Sequence, residues 1–244
     1  LAGSVTLIRW VAVERPGSPT REIFPYGEFR IGVDASYPPF AVATATDLFG
    51  IDIDVGRALG EQLDVPVRFV NMGYDGLYDS LRNDQVDAVI SALPIDPTRM
   101  GEVRYTVPYF NAGLVLVSAD PRMENMADLG NHSLAFEFGS EADRTARQWL
   151  RRINPFTTFP YETPTYALDA LRLAAADAAL VDAISARLYL REHANLDVRL
   201  LPVTDVLYAI AVRNTRGQTW EAINHALYQL LDDQTIEHIL DNWL

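Results

Sequence analysis

The sequence predicts an α/β protein of two lobes, each a mostly parallel β-sheet flanked by helices, with two hinge crossings between them. Three observations predict it. From residue 29 to residue 90, short apolar runs alternate with stretches of helical periodicity, the pattern of βαβ units that wind into a right-handed parallel sheet. The alternation restarts at residue 133 and runs to residue 191 as a second module. Two extended apolar stretches, 109–118 and 206–212, stand where a chain joining two lobes must cross.

Taken in order, residues 29–33 are a short apolar run ended by Asp34-Ala35-Ser36-Tyr37-Pro38-Pro39-Phe40, a buried strand feeding a loop stiffened by two prolines. Ile51, Val55, Ala58, Leu59 and Leu63 recur at helical spacing and place a helix over one face of a sheet. Residues 65–70 read as the next strand and 74–82 as a helix through Leu77 and Leu81. Val86-Asp87-Ala88-Val89-Ile90 has the near-continuous apolar character of a parallel strand. In the second module 133–136 is a strand, 140–153 a helix and 157–161 a strand. Thr163 caps a helix carrying Leu168 and Leu171, before a strand at 178–181 and a helix to Arg191. The C-terminus is helical through Ile223, Leu227 and Leu230, then Ile236, Ile239 and Leu240. Residues 1–27 carry Pro, Gly and Ser without a lasting period and read as an arm or linker, in which Leu7, Ile8, Trp10 and Val11 are able to dock on a lobe. The first residue is Leu rather than Met, as in a chain trimmed of an export signal or truncated.

Composition narrows the chemistry. Cysteine is absent, which removes disulfides, thiolate nucleophiles and cysteine-held metals. All 20 basic residues are Arg, so a Schiff-base lysine and a phosphate-binding P-loop lysine are excluded together. A net charge of −13 argues against a nucleic-acid partner, because phosphate contacts need clustered cations. No apolar run reaches the roughly 18 residues that a membrane span requires. His132, His193, His225 and His238 are scattered, no nucleophile elbow or dinucleotide fingerprint occurs, and neither metal nor cofactor is implied. The acidic pairs Asp52/Asp54 and Asp232/Asp233 read as solvated surface, since i,i+2 positions on a helix do not face each other.

Polar residues gather instead at the carboxyl ends of the predicted strands, where open α/β sheets place ligands. Asp34 and Tyr37 follow the first strand, and Ser91, Ala92 and then Arg99 follow the third. Arg99 offers a fork of donors that matches a carboxylate. Gly139-Ser140-Glu141 follows the first strand of the second module, at a helix start whose free N–H groups suit an anion. Asp182 follows a later strand and suits an ammonium. Arg99 on one lobe and Asp182 on the other fit a zwitterion, each ligand charge being desolvated only where a partner is supplied. Each residue also has an ordinary role: Arg99 in a surface ion pair, Asp182 as a helix N-cap, Tyr37 and Tyr74 in packing at the sheet edge.

The run Arg30-Ile31-Gly32-Val33-Asp34-Ala35-Ser36-Tyr37-Pro38-Pro39-Phe40 resembles the opening strand and loop of the bacterial family 3 solute-binding proteins, the polar amino-acid receptors of ABC importers. The similarity continues in register through Gly50-Ile51-Asp52-Ile53-Asp54, Tyr74-Asp75-Gly76-Leu77, Val86 to Ser91, Arg99, Tyr105 to Tyr109, Tyr208 to Val212 and the closing Ile239 to Leu244. The resemblance implies a type II periplasmic-binding-protein clamp whose first lobe takes both ends of the chain: 28–115 with 206–244, against 116–205, after the arm 1–27. It also implies roles. Arg99 anchors the ligand α-carboxylate, Asp182 its α-amino group, and Tyr74 stacks on its side chain. Asp34, Tyr37 and Ser91 line the side-chain pocket, Ala92 offers its carbonyl to the ammonium, and Gly139, Ser140 and Glu141 complete the carboxylate site.

Two residues depart from the family pattern. Pro94 stands where the family usually has Ser or Thr, and it has neither N–H nor hydroxyl to offer. Glu141 stands where Thr is common, adding negative charge beside Asp34 and Asp182, which repels an acidic ligand and favours a basic one. The expectation is therefore a monomeric, extracytoplasmic receptor, periplasmic or anchored at the cell surface. It closes its hinge on a cationic L-amino acid such as arginine, lysine or histidine, with glutamine as a neutral alternative, and delivers it to an ABC transporter permease. It is not expected to be an enzyme. The alternatives are a dehydratase on the same scaffold, with Glu141 as its acid, and the sensor domain of a receptor kinase.

Overall fold

The computed structural model describes residues 23–244, so the arm predicted for 1–27, with Leu7, Ile8, Trp10 and Val11, lies outside the described residues as far as residue 22. Its last residues fold back onto the body. Phe24 is buried with its ring centroid 5.1 Å from that of Phe29, and Thr219 donates its hydroxyl to the Ile23 carbonyl at 3.1 Å.

The chain opens with β1 (Phe29–Val33), then the small hairpin strands β2 (Ser36–Tyr37), β3 (Ala41–Ala43) and β4 (Leu48–Phe49). Helix α1 (Ile51–Gln62), β5 (Val67–Asn71), a 3-10 turn at Tyr74–Gly76, α2 (Leu77–Arg82), β6 (Ala88–Val89) and β7 (Val103–Asn111) follow. β8 (Leu114–Ser118) starts the second half, with β9 (Ser133–Glu137), α3 (Glu141–Trp149), β10 (Thr157–Tyr161), α4 (Pro164–Arg172), β11 (Ala178–Asp182), α5 (Ala183–Glu192) and β12 (Arg199–Pro202). The chain then returns through β13 (Leu207–Arg213) to α6 (Gly217–Asp232) and α7 (Thr235–Trp243).

These elements build two five-stranded sheets, ordered β5-β1-β6-β13-β7 and β10-β9-β11-β8-β12. β1 is buried at every position because helices cover both faces of its sheet. Along β6 and β13 the faces alternate. Ala88, Ile90, Ile210 and Val212 pack with Leu59, Ile223 and Leu227 of α1 and α6, while Val89 and Ala211 pack with Leu77 and Leu81 of α2.

The sheets are less parallel than the sequence predicts. In each, two neighbouring pairings are parallel (β5-β1-β6 and β10-β9-β11) and the other two antiparallel. One strand runs against the rest in each sheet, β13 in one and β8 in the other, each the first strand that its sheet receives after a crossing. Such strands arrive from the opposite half rather than through a helical crossover, so nothing imposes the parallel direction. The single stretch predicted at 109–118 is likewise split at Ala112-Gly113 into the end of β7 and the start of β8, in different sheets. A Cβ on Gly113 would collide with the Thr204 carbonyl, so only glycine lets the two crossing passages touch there. Asn111 ties them: its Oδ1 accepts from Gly113 N and Val206 N, both at 3.0 Å, and its Nδ2 donates to Asp205 at 2.7 Å.

Two further corrections concern helices. The helix predicted over 140–153 ends at Trp149, because Pro155 disfavours helical backbone at Asn154 and the chain unwinds through short turns before it. The helix predicted over 74–82 begins as the 3-10 turn and becomes α-helical at Leu77.

Candidate functional site

The first half of the site hangs from the ends of β1 and β6. Arg30 on β1 and Asp87, just ahead of β6, fasten those strands with a two-pronged buried ion pair: Nη2 lies 2.8 Å from Oδ1 and Nε 3.1 Å from Oδ2. Their side chains are 6% and 2% exposed, so this pair is dry. Four residues further along β1, Asp34 N donates to the Ser91 hydroxyl at 2.9 Å. The Asp34 carboxylate is already engaged, Oδ1 by Ser36 N at 3.1 Å and Oδ2 by Tyr74 N at 3.0 Å. The structure thus brings Asp34, Tyr74 and Ser91 together through hydrogen bonds.

Two aromatic rings stay open beside them. Tyr74 is 46% exposed, and burial of its hydroxyl end, helped by Tyr105 and Asp96, pushes that hydroxyl above its ordinary range. Tyr37 is 47% exposed and stacks on Phe40, centroids 5.6 Å apart. Phe40 in turn packs against Tyr208 and Phe110, an aromatic floor under the strand ends. Burial pushes the Tyr208 hydroxyl up, with Tyr37, Asp52 and Asp182 adding to the effect, which sets Tyr208 within electrostatic reach of both halves.

Arg99 sits in a 3-10 turn, Pro97–Arg99, capped by Asp96, whose carboxylate accepts from Thr98 N at 2.8 Å. Its guanidinium lies 4.7 Å over the Tyr78 ring and 3.5 Å from Glu102. This is the surface ion pair named as its ordinary role. Pro94 bridges to Tyr208, and the Ile95 N–H beyond it donates to the Leu207 carbonyl, so the segment before Arg99 is stitched to β13.

The second half is a cavity of about 180 Å³ whose walls include Glu137, Ser140, Glu141, Pro164 and Asp182. Three sequence-predicted residues, Ser140, Glu141 and Asp182, therefore share one space, of which Arg99 is not a lining residue. Asp182 ends β11 and caps α5, its Oδ1 accepting from Ser185 N at 2.8 Å, while Oδ2 has no hydrogen-bond partner among the described residues. Glu141 is exposed and ion-paired with Arg144.

Part of the set of amides expected to be free at the start of α3 is spent within the turn itself. Ser140 Oγ accepts from Ala142 N at 3.1 Å and Asp143 N at 3.4 Å, and the Asp143 carboxylate takes Gly139 N at 3.0 Å. A serine N-cap consumes the very donors that an anion would use. Glu137 was missed by sequence reasoning. It is the last residue of β9, so the strand-end rule that picked out Asp34 and Asp182 applied to it equally.

Asp52 is the larger correction. It is 1% exposed rather than solvated, with the Tyr109 hydroxyl donating to its Oδ1 at 2.6 Å. Burial pushes its carboxyl up to about 7, against the pull of the Tyr109 hydroxyl and the Ala92 N–H. Its neighbour Asp54 behaves as expected, half-buried and accepting from Trp243 Nε1. A separate cavity of about 280 Å³ lies at the crossing, between Asn111, Leu114, Thr204 and Leu240. Its charges, Arg187 and Glu237, are already paired at 3.1 Å, and none of the predicted site residues lines it. Among the described residues no group of three or more His, Cys, Asp or Glu is arranged to hold a metal ion.

Two mixed sheets joined by paired crossings, with polar residues at their strand ends, define a two-lobed clamp. Residues 29–244 match the family described as bacterial extracellular solute-binding proteins, family 3, and the chain belongs to that family. It is 30% identical over 223 residues to the ABC transporter arginine-binding protein 1 of Escherichia coli (strain K12), covering 88% of this chain and 90% of that protein. Among solved structures, an ancestral amino acid-binding protein that is a precursor of cyclohexadienyl dehydratase superposes with a TM-score of 0.55 at 26% identity, covering 93% of this chain and 99% of that one. The L-cystine solute receptor of Neisseria gonorrhoeae, unliganded and open, shares the fold with a TM-score of 0.74 at 23% identity, covering 93% and 96%. The fold is thus the type II periplasmic-binding-protein clamp.

Proposed function

We propose that this protein is an extracytoplasmic receptor that captures a cationic L-amino acid by hinge closure and presents it to the permease of an ABC importer. The observation that carries the reading is the second-half cavity, where Glu137, Glu141 and Asp182 set three carboxylates around a space that no basic residue lines among the described residues. Such a wall attracts a ligand bearing an ammonium and a second cation, and it repels an acidic one. The family membership and the arginine-binding relative support the same ligand class.

In this reading the ligand docks first on the half that carries Asp34, Tyr37, Tyr74, Ser91, Ala92 and Arg99. Arg99 leaves Glu102, an exposed partner that holds it weakly, and takes the α-carboxylate. The uncommitted Oδ2 of Asp182 then meets the α-ammonium as the second half swings in, with Glu137 and Glu141 facing the distal cation. The lobes are 28–115 with 206–244 and 116–205, and the motion turns on the two crossings between them. Tyr74 and Tyr37 supply apolar faces for the aliphatic stem of the guest.

The protein acts as a monomer and transforms nothing. A dehydratase would need a dry carboxylic acid, whereas Glu141 is exposed and ion-paired with Arg144. Titration calorimetry against the standard amino acids, after stripping bound ligand by unfolding and refolding, tests the proposal. Micromolar or tighter binding of arginine, lysine or histidine is expected. Failure of every amino acid to bind more tightly than about 1 mM (~4 kcal/mol) overturns it.

A further inference from the structure

The backbone at Arg99 is fixed. Asp96 caps its 3-10 turn, Arg99 N donates to the Asp96 carbonyl at 3.0 Å, and Glu102 N closes the next turn on the Arg99 carbonyl at 2.8 Å. The side chain has no such anchor, and a long arginine loses rotamer entropy when it meets a carboxylate unless something holds it beforehand. Tyr78 supplies the hold. The guanidinium carbon lies 4.7 Å from the centroid of the Tyr78 ring, within the range of a cation–π contact. The ring is itself fixed, since its hydroxyl lies 2.8 Å from that of Tyr105 on β7 and both residues pack against the core cluster of Leu77, Leu81 and Val89. Tyr105 is tied in turn, its carbonyl accepting from Trp220 Nε1 at 2.9 Å. A ring face occupies none of the guanidinium N–H groups, and the Glu102 contact, at 3.5 Å, is longer than a normal hydrogen bond. The fork is therefore oriented with its donors left for a carboxylate.

Glu102 fits the same arrangement. Its Oε2 also accepts from Arg82 Nη2 at 3.2 Å, and Arg82 is paired with Asp79 at 3.0 Å, so Glu102 keeps a cation when Arg99 turns to a ligand. We infer that Tyr78 is a positioning residue, whose ring, held by Tyr105, presents Arg99 to the ligand carboxylate. Tyr78 stands one turn beyond Tyr74 in the same helical run, which sets this support beside the aromatic assigned to the ligand side chain. The inference rests on the proposed receptor role for its effect on affinity, but not for its effect on Arg99.

The test uses the full chain with Tyr78→Leu, which keeps apolar volume on the core but removes the ring, Tyr78→Phe, which keeps the ring, Arg99→Gln, and the double variant Tyr78→Leu/Arg99→Gln, each checked for a cooperative melt. Two ligands are titrated, L-arginine and L-argininamide, whose neutral amide replaces the carboxylate. Nitrogen-15 NMR follows the Arg99 Nε–H, assigned by its loss in Arg99→Gln, in ligand-free protein. Tyr78→Leu should weaken L-arginine about fivefold, leave L-argininamide within about twofold, and add nothing to the loss in Arg99→Gln. Tyr78→Phe should stay within about twofold of wild type for both ligands. The Arg99 Nε–H resonance should move downfield in Tyr78→Leu as the ring current is lost, and far less in Tyr78→Phe. A merely structural role for Tyr78 weakens both ligands alike. Equal losses for the two ligands, a loss that adds to that of Arg99→Gln, or an Arg99 resonance unmoved by Tyr78→Leu overturns the inference. If the wild type binds neither ligand, the receptor reading falls, and the resonance still decides whether Tyr78 holds Arg99.

Discussion

The two halves of the site are built to opposite principles. In the first, polar groups are spent on one another: both Asp34 oxygens accept backbone N–H groups, the Ser91 hydroxyl takes Asp34 N, and buried Asp52 accepts the Tyr109 hydroxyl. In the second, one Asp182 oxygen has no hydrogen-bond partner among the described residues, and Glu137 and Glu141 line a cavity. A half that is satisfied internally holds its shape without ligand, so it serves as the docking surface. A half with unspent charge gains its partners only when a ligand arrives, so it supplies the free energy of closure.

The comparison breaks most severely if the first half loses its frame. Asp87→Ala strips Arg30 of its two-pronged buried partner and leaves only the more distant and more exposed Asp84 carboxylate, 3.7 Å away, so urea denaturation should show a loss of about 3 kcal/mol. In the second half, Asp182→Asn keeps an oxygen to cap α5 but removes the charge. Arginine affinity measured by calorimetry should fall about 100-fold, ~2.7 kcal/mol, with the melting temperature unchanged. An equal loss of stability would mean that Asp182 serves the helix alone. Glu137→Gln should weaken arginine about tenfold, ~1.4 kcal/mol, and leave glutamine unaffected, which sharpens the assignment of Glu137 to the distal cation.

The smallest effect concerns pH. Folding raises the Asp52 carboxyl from an ordinary 3.8 to about 7, so between those values the folded state holds a proton that the unfolded chain has released. Stability from this group therefore falls as pH rises from about 4 to 7 and is flat below that window. Asp52→Asn, which cannot titrate, should gain stability relative to wild type as thermal melts are moved from pH 5 to pH 8. A constant difference across that range would show that Asp52 stays ionised when buried.

Much of this was legible in the chain. Periodicity placed every helix and most of the longer strands, though not the hairpin β2–β4, β12 or the first part of β7, and Thr163 was recognisable as the cap it proves to be, accepting from Tyr166 N. The strand-end rule found Asp34, Ser91, Ser140 and Asp182, and it would have found Glu137 had it been applied evenly. Asp52 was illegible because the i,i+2 spacing of an acidic pair says only that the two side chains diverge. It does not say which one turns inward, and Tyr109, 57 residues further on, settles that. Part of the free N–H set expected at the start of α3 is used up for a related reason, since the serine that marks a helix start also takes some of its donors.

What the sequence by itself determined is the alternation of strands and helices, the absence of thiol and lysine chemistry, and the polar residues at strand ends. These follow from periodicity and composition, which are properties of neighbours along the chain. Only the tertiary structure decided which strands run antiparallel, which carboxylates are spent on backbone N–H groups, and that Asp52 is buried against Tyr109. Those outcomes depend on groups brought together from distant parts of the chain, and hydrogen bonding and desolvation act only between groups that meet in space.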